Sequence, residues 1–332
     1  MDSFTQVLLG IATAEVIAGR QLKNRTFVYG AVLGTIPDLD VIVGLFMHPV
    51  SGVAIHRGLS HSLLFFLLLS PILGWAVAKL EQGKITLKRS ITLVFFCLLT
   101  HVILDAFTSW GTQILWPLTD RFALKTIFVI DPLYTIPLLI SLIYVFKTKG
   151  DFLRKKYVFR GLLISSCYLL ITCGIKLFAL NKFENALKNQ SIKYTEIIVK
   201  PTAFNTILWN ANVKTQEGYL LADYSLFDSK DISFTLYKNN KEAGLQISNS
   251  KYYKELVAVS EGWHIVSRQN NSIFFNDLRF GLLNDNPTAP QFAFSYEFTP
   301  NADGTFNVTE VPKAKRDGKI LLQKLWKRLK GN

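Results

Sequence analysis

From residue 4 to residue 180 the chain is built of apolar blocks long enough to cross a bilayer, and beyond Asn181 that pattern stops. A spanning helix needs about 20 largely apolar residues, and inside hydrocarbon it must satisfy its own backbone hydrogen bonds. Segments 28–47, 63–80, 91–107, 127–146 and 161–180 meet the requirement. A further segment, 4–18, is short and carries Gln6 and Glu15, so it either spans or enters part way. The expected fold class is an α-helical membrane bundle of five or six transmembrane helices, followed by a C-terminal soluble α+β domain. The expected divisions are 1–181, membrane-embedded; 182–312, the soluble domain; and 313–332, a basic amphipathic tail.

Lys and Arg number 37 against 24 Asp and Glu, a net charge of +13. In a soluble protein such an excess points to nucleic acid. Here the cations crowd into short connections: Arg20, Lys23 and Arg25; then Lys79, Lys84, Lys88 and Arg89; then Lys147, Lys149, Arg154, Lys155, Lys156 and Arg160. Basic loops stay on the cytoplasmic side, which explains the charge without a nucleic-acid partner. The expected localisation is therefore the inner (cytoplasmic) membrane, multi-pass. Connections 48–61 and 108–126, and everything after Leu180, then face outward. Met1-Asp2-Ser3 lacks the positive start of a cleavable signal peptide. Cys97, Cys167 and Cys173 fall in apolar blocks and read as small buried residues rather than disulfide partners or thiolate ligands.

The polar residues left at the outer ends of these blocks carry the chemistry. They are Asp38 and Asp40 in Gly34-Thr-Ile-Pro37-Asp38-Leu-Asp40, His56 and His61 in His56-Arg57-Gly58-Leu-Ser60-His61-Ser62, and His101 and Asp105 in Thr100-His101-Val-Ile-Leu-Asp105. Ionisable groups are costly beside lipid, and topology drawn from basic residues alone gathers these at one face. His101 and Asp105, four apart, share a helix face. Asp38 and Asp40, two apart, cannot, but Pro37 disturbs the helix there and Gly34 adds freedom. Ser60 or Ser62 can cap the helix that follows. Three imidazoles and three carboxylates suffice for a site of one or two divalent ions, Zn²⁺ first and Mn²⁺ or Fe as alternatives. Arg57 suits a substrate phosphate or carboxylate, or anchors the interface. Glu15 is a candidate ligand or general base, and Asp131 a candidate ligand or helix cap. His48 and His264 stand outside the site.

In 182–311, Glu196-Ile-Ile-Val-Lys, Ile232-Ser-Phe-Thr-Leu-Tyr and Phe292-Ala-Phe-Ser-Tyr-Glu-Phe read as strands, Asn301-Ala-Asp-Gly304 as a hairpin turn, and 252–259 as a helix. Residues 319–330 set Ile320, Leu321, Leu325, Trp326 and Leu329 against five cations, an amphipathic helix for an anionic membrane surface or a solvated end.

These motifs resemble the YdjM-like family of predicted inner-membrane metal-dependent hydrolases. The resemblance lies in Pro37-Asp38-Leu-Asp40, in His56-Arg57-Gly58-Leu-Ser-His61-Ser62, and in His101-x-x-x-Asp105 followed by Gly111 and Trp116-Pro117. It covers residues 1–145 well and extends loosely to Pro201-Thr-Ala-Phe-Asn-Thr and Asp277-Leu-Arg-Phe-Gly. The family is likened to zinc-dependent phospholipase C enzymes, which implies zinc-assisted phosphoester hydrolysis, with Asp38, Asp40, His56, His61, His101 and Asp105 as ligands. Many members carry a His early in the first segment; this chain has Thr5-Gln6 there, with Glu15 further on.

The expected function is a membrane-bound metal-dependent hydrolase acting on a phospholipid or lipid-linked phosphoester, with Glu15, Asp38 and Arg57 as catalytic residues. Two alternatives use the same residues: a cation pathway or transport protein, and a non-catalytic scaffold stapled by metal.

Overall fold

Glycine sets how the first two helices meet. Helix α1 (Ser3–Leu22) and α2 (Arg25–Thr35) are joined by a turn with Lys23 at φ 50°. A Cβ on Gly10 would lie 2.2 Å from the Gly30 carbonyl, and one on Gly30 would lie 2.4 Å from Ile11 Cα. The two backbones are therefore in direct contact, the close approach that small residues permit between membrane helices. Gly34 belongs to the same seam, facing the Gln6 carbonyl, so its role is close packing rather than backbone freedom.

The computed structural model describes residues 1–283, 290–312 and 318–332. The chain forms two units: Met1–Ile42, Ile55–Gly174 and Ala203–Asn205; and Val43–Ala54, Ile175–Thr202 and Thr206–Asn332.

In the first unit, α2 runs through a 3-10 turn (Ile36–Leu39) led by Pro37 into the short α3 (Asp40–Gly44). After α4 (Pro49–Ile55), which belongs to the second unit up to Ala54, come α5 (Leu63–Leu80), α6 (Leu87–Ala106), α7 (Pro132–Lys147) and the long α8 (Asp151–Asn189), whose part from Ile175 onward belongs to the second unit. Among the described residues, four stretches are long and apolar enough to cross a membrane: Arg25–Gly44, Leu63–Leu80, Leu87–Ala106 and Asp151–Asn189. Helix α7 is apolar but shorter than the expected 127–146 block, because Asp131 accepts from the amides of Leu133 and Tyr134 and caps it there. Asp131 is thus a helix cap, held also by the Tyr168 hydroxyl. Helix α8 overruns the expected 161–180 at both ends; its 39 residues make a rod of about 58 Å, longer than a bilayer core is thick.

Helix α1 is longer than 4–18 and most of it is buried. Its polar Gln6, Thr13 and Glu15 face protein, while Leu67, Leu68, Ile72, Leu163 and Leu170 on α5 and α8 are bare, as a lipid-facing surface requires. The basic connections converge at one end of this unit. Lys23 meets Asp151, and Arg25 Nη1 donates to Glu81 at 2.6 Å.

The second unit contains two antiparallel sheets of four strands, each a meander. The first orders β1 (Glu196–Pro201), β2 (Leu208–Lys214), β3 (Gly218–Ser225) and β4 (Thr235–Lys238); Val199, Trp209, Ala211 and Val213 pack on Ala179, Phe183 and Leu187 at the end of α8. Helices α9 (Lys241–Ile247) and α10 (Lys251–Val259) lead to the second sheet, β5 (His264–Gln269), β6 (Ser272–Leu282), β7 (Phe292–Pro300) and β8 (Phe306–Glu310). His264 stacks on Phe275 and His48 on Tyr252. The expected tail boundary falls at 313–317, outside the described residues. Helix α11 (Gly318–Leu329) is pinned by Arg328, whose guanidinium donates twice to Asp228 at 2.6 Å, while Ile320, Leu322 and Trp326 stay exposed.

Candidate metal centre

Helix α6 brings His101 and Asp105 to one face by their four-residue spacing. The glycine seam between α1 and α2 carries the backbone of α2 close to them, so that His101 Nδ1 donates to the Gly34 carbonyl at 2.6 Å. A carbonyl only accepts, so Nδ1 holds a proton and Nε2 is the nitrogen turned toward the carboxylates. The 3-10 turn after Gly34 delivers Asp38, and the one at Leu59–His61 delivers His61 just before Ser62 caps α5 through the Phe65 amide.

His61 is oriented by a relay. Its Nδ1 lies 2.9 Å from Ser60 Oγ, and Ser60 Oγ donates to Asp40 Oδ2 at 2.7 Å. The serine proton is committed to the carboxylate, so the serine oxygen accepts from His61 Nδ1. Both imidazoles are thereby turned so that Nε2 faces the carboxylates. His61 Nε2 lies 3.4 Å from Asp38 Oδ1 and 3.5 Å from Asp105 Oδ2; His101 Nε2 lies 3.5 and 3.6 Å from the same atoms.

These four residues each offer one ligand atom, all within 4.8 Å of one another. Among the described residues, His61 Nε2, His101 Nε2 and Asp105 Oδ2 are buried without a hydrogen-bond partner, and Asp105 Oδ2 has an ion-pair contact with Arg57 Nε at 3.1 Å. Buried polar atoms left unpaired are costly, and three facing one point ask for a common partner. Bonds of about 2.05 Å in a tetrahedron give edges of about 3.3–3.4 Å, close to the four measured separations. The donor set, two imidazoles and two carboxylates with no thiolate, fits Zn²⁺, Mn²⁺ or Fe²⁺.

Asp40 and His56 do not join this group. His56 Nδ1 donates to Asp40 Oδ1 at 2.9 Å, and Asp40 Oδ2 also takes the Arg57 amide. Asp40 therefore orients its neighbours, and of the six expected ligands four lie close enough together to share an ion. Arg57 also differs from expectation. At φ 62° and 5% exposed, it sets Nε 3.1 Å from Asp105 Oδ2 and donates from Nη1 to Thr108 Oγ1 at 3.0 Å. Its guanidinium serves the buried carboxylate and is not presented to a substrate.

Glu15 lies elsewhere. Its carboxylate takes Arg154 Nε at 2.8 Å, Arg154 Nη2 at 2.7 Å and the Thr26 hydroxyl at 2.6 Å. Nine residues along α1 from Gln6, it is about 13 Å down the helix axis. The residue at the site is Gln6, whose Nε2 donates to Asp105 Oδ1 at 3.0 Å and to the His101 carbonyl at 3.2 Å. The amino group of Met1 also meets Asp105 Oδ1. A polar amide in an apolar block was the signal for Gln6; nothing local marked Ser60.

Burial works against a charge on His61, but Asp105, Asp38 and Asp40 outweigh it and raise its pKa to about 9. Without a cation, the site keeps a proton there at neutral pH.

The family model of the YdjM inner membrane protein matches residues 1–179, more than half of the 332-residue chain. The chain belongs to this family. The span matched in the YdjM family contains every residue of the cluster, the Asp40–His56 pair and the Gly10–Gly30–Gly34 seam, and it ends within α8. Both sheets of the second unit lie beyond it. No curated protein and no solved structure matches the chain.

Proposed function

We propose that the chain is a multi-pass enzyme of the inner membrane that uses one divalent metal ion, zinc first, to hydrolyse a phosphoester of a phospholipid or lipid-linked substrate. One observation supports the reading: three buried ligand atoms without a hydrogen-bond partner, from His61, His101 and Asp105, facing the Asp38 carboxylate. When bound, a divalent ion supplies Lewis acidity toward a phosphoryl oxygen and makes water at the site more acidic. His61, His101 and Asp105 hold it; their side chains are at most 1% exposed. Asp38, 17% exposed, and His56, 20% exposed and fixed by Asp40, mark the accessible side. These two are the groups positioned to accept a proton from the attacking water. Arg57, Gln6 and Thr108 keep Asp105 in place.

In this reading the helices span five or six times. The basic connections face the cytoplasm, so the cluster opens at the outer face and the sheet domain lies outside.

Full-length protein in detergent, loaded with Zn²⁺, Mn²⁺ or Fe²⁺, tests the proposal against a panel of phospholipids and phosphoesters. Turnover is expected, and chelation and His101→Ala should both abolish it. Full activity and full metal content in His101→Ala or Asp105→Ala would end the reading. A second reading has one observation in its favour: four protein ligands can close a tetrahedron, as in structural zinc sites. A chelator-dependent drop in thermal stability, with no turnover on any substrate of the panel, would select that metal-stapled scaffold instead.

A further inference from the structure

The connection from Ala106, at the end of α6, to Pro132, at the start of α7, lies against the metal centre. Its Gln113 amide donates to the Arg57 carbonyl at 3.0 Å, and its Ile114 carbonyl accepts from the Leu63 amide at 3.0 Å. Arg121 Nη1 donates to the His56 carbonyl at 3.2 Å. The Trp110 ring stands edge-on to His56, with centroids 5.4 Å apart. The connection thus borders His56, one of the two residues that mark the accessible side of the site.

A connection bathed in water turns polar side chains outward and leaves much of its backbone to solvent. Here the exposed side chains include Leu115, Leu118, Phe122 and Leu124. The backbone beneath them is closed on itself and on α6. Thr112 and Phe122 exchange amide–carbonyl bonds of 3.1 and 2.9 Å, Leu124 donates to Ala106 at 2.6 Å, and Thr126 donates to Phe107 at 2.8 Å. Even at the tip, the Trp116 amide reaches the Gln113 carbonyl and the Leu118 amide the Leu115 carbonyl. Irregular backbone beside lipid must have its polar groups satisfied within the protein, and this frame meets that demand. Asp120 is exposed at the same tip, which sets the depth at the headgroup layer and no deeper.

The segments that deliver the site are bare in the same way. Leu59 is exposed one residue before Ser60, and Leu39, Val41 and Ile42 are exposed around Asp38 and Asp40. Apolar residues left uncovered on three segments around one polar site call for an apolar neighbour.

We propose that the connection between α6 and α7 is a rim of the metal centre, lying in the plane of the bilayer at headgroup level. Leu115, Leu118, Phe122 and Leu124 reach among acyl chains, and a lipid comes to His56 and Asp38 sideways from the membrane. The placement of the rim stands on the connection itself. The lipid's route rests on the hydrolysis proposed above, and it selects bilayer-borne over water-soluble phosphoesters as the substrate class.

The test puts single nitroxide labels on full-length protein in nanodiscs of phosphatidylethanolamine and phosphatidylglycerol. Cys167 and Cys173 are first replaced by Ala, while Cys97 is fully buried and stays. Leu118→Cys reads the rim, Leu163→Cys on α8 reads lipid, and Gln82→Cys in the turn before α6 reads water. The ratio of accessibility to oxygen over a nickel chelate at Leu118→Cys should exceed that at Gln82→Cys several-fold and approach that at Leu163→Cys. A ratio equal to that at Gln82→Cys would put the connection in water and overturn the rim. Low access to both reagents would mean a protein cover, such as a second copy of the chain, and overturn it too. For the route, phospholipids in vesicles are compared with their deacylated, soluble glycerophosphodiesters. Values of kcat/KM should favour the vesicle lipid by about tenfold or more, because only it brings apolar chains to the rim. A soluble diester turned over as well as its parent lipid would overturn the route and leave the rim. A rim found in lipid with no turnover on either would end the hydrolysis and its route alone.

Discussion

Two buried charge clusters sit in the same helical unit, and they are satisfied to very different degrees. Around Glu15 both carboxylate oxygens are hydrogen-bonded: Arg154 grips them with two nitrogens, Thr26 adds a third donor, and Arg154 Nη1 goes on to Asn24 and the Val145 carbonyl. Around Asp105 the groups are as deeply buried, yet three ligand atoms remain without a hydrogen-bond partner. A closed network of this kind ties helices together; an open one of converging ligand atoms is able to take an ion. Sequence alone makes both acids candidates for the site, with only the four-residue spacing to His101 setting Asp105 apart.

Exchanging the roles of the two clusters is the hardest test of this contrast. His101→Ala should remove bound metal altogether while leaving the helical fold, read by metal analysis and far-UV circular dichroism. Glu15→Ala should do the reverse. It strands the Arg154 charge at a cost of about 3–5 kcal/mol, seen as lower thermal stability with metal stoichiometry retained in the protein that folds. Metal lost in Glu15→Ala and kept in His101→Ala would invert the assignment.

A third group sharpens the meaning of partner supply. His264 in the sheet domain is half-buried, and it makes no ion pair with its cross-strand neighbour Asp277. Burial outweighs the Asp277 charge and lowers its pKa to about 4. The folded domain then resists a proton that the unfolded chain takes up near 6.5. Stability is complete above 6.5 and is lost as pH falls through 6.5 to about 4, by up to ~3 kcal/mol. Acid titration of wild type against His264→Phe should show that slope in the first and not in the second.

His61 runs the opposite way. With its pKa at about 9, metal binding near pH 8 should expel about one proton from it, and affinity should fall as pH drops below 9. Calorimetry in buffers of different ionisation enthalpy reads the proton directly; no release would contradict the shared ligand site. The smallest effect is expected at Ser60. Ser60→Ala breaks the relay from Asp40 to His61 and should weaken metal affinity about 10–100-fold without removing it.

The sequence told much about the site and less about its hierarchy. Asp38, His61, His101 and Asp105 were legible because their spacings and their position at one end of apolar blocks have no easier explanation. Asp40 and His56 read as ligands too, since residue type and proximity do not distinguish an atom that faces the ion from one that orients a ligand. That distinction depends on the 3-10 turns at 36–39 and 59–61 and on the left-handed backbone at Arg57. Glu15 was misplaced because its partner, Arg154, is 139 positions away. The helical blocks were visible from hydropathy, but Asp131 shortened one and polar helix lengthened another. In the sheet domain the runs at 196–200 and 292–298 and the turn at 301–304 were legible from alternation and turn residues. The division into two four-stranded meanders was not, because strand pairing is set by contacts between distant segments.

The claim that His61, His101 and Asp105 share an ion is tested most directly by metal analysis of the purified full-length protein beside His101→Ala. About one divalent ion per wild-type chain, and none in the variant, is the predicted result. Wild type that takes up no ion after loading with Zn²⁺, Mn²⁺ or Fe²⁺, or a variant that keeps its full complement, would contradict the account.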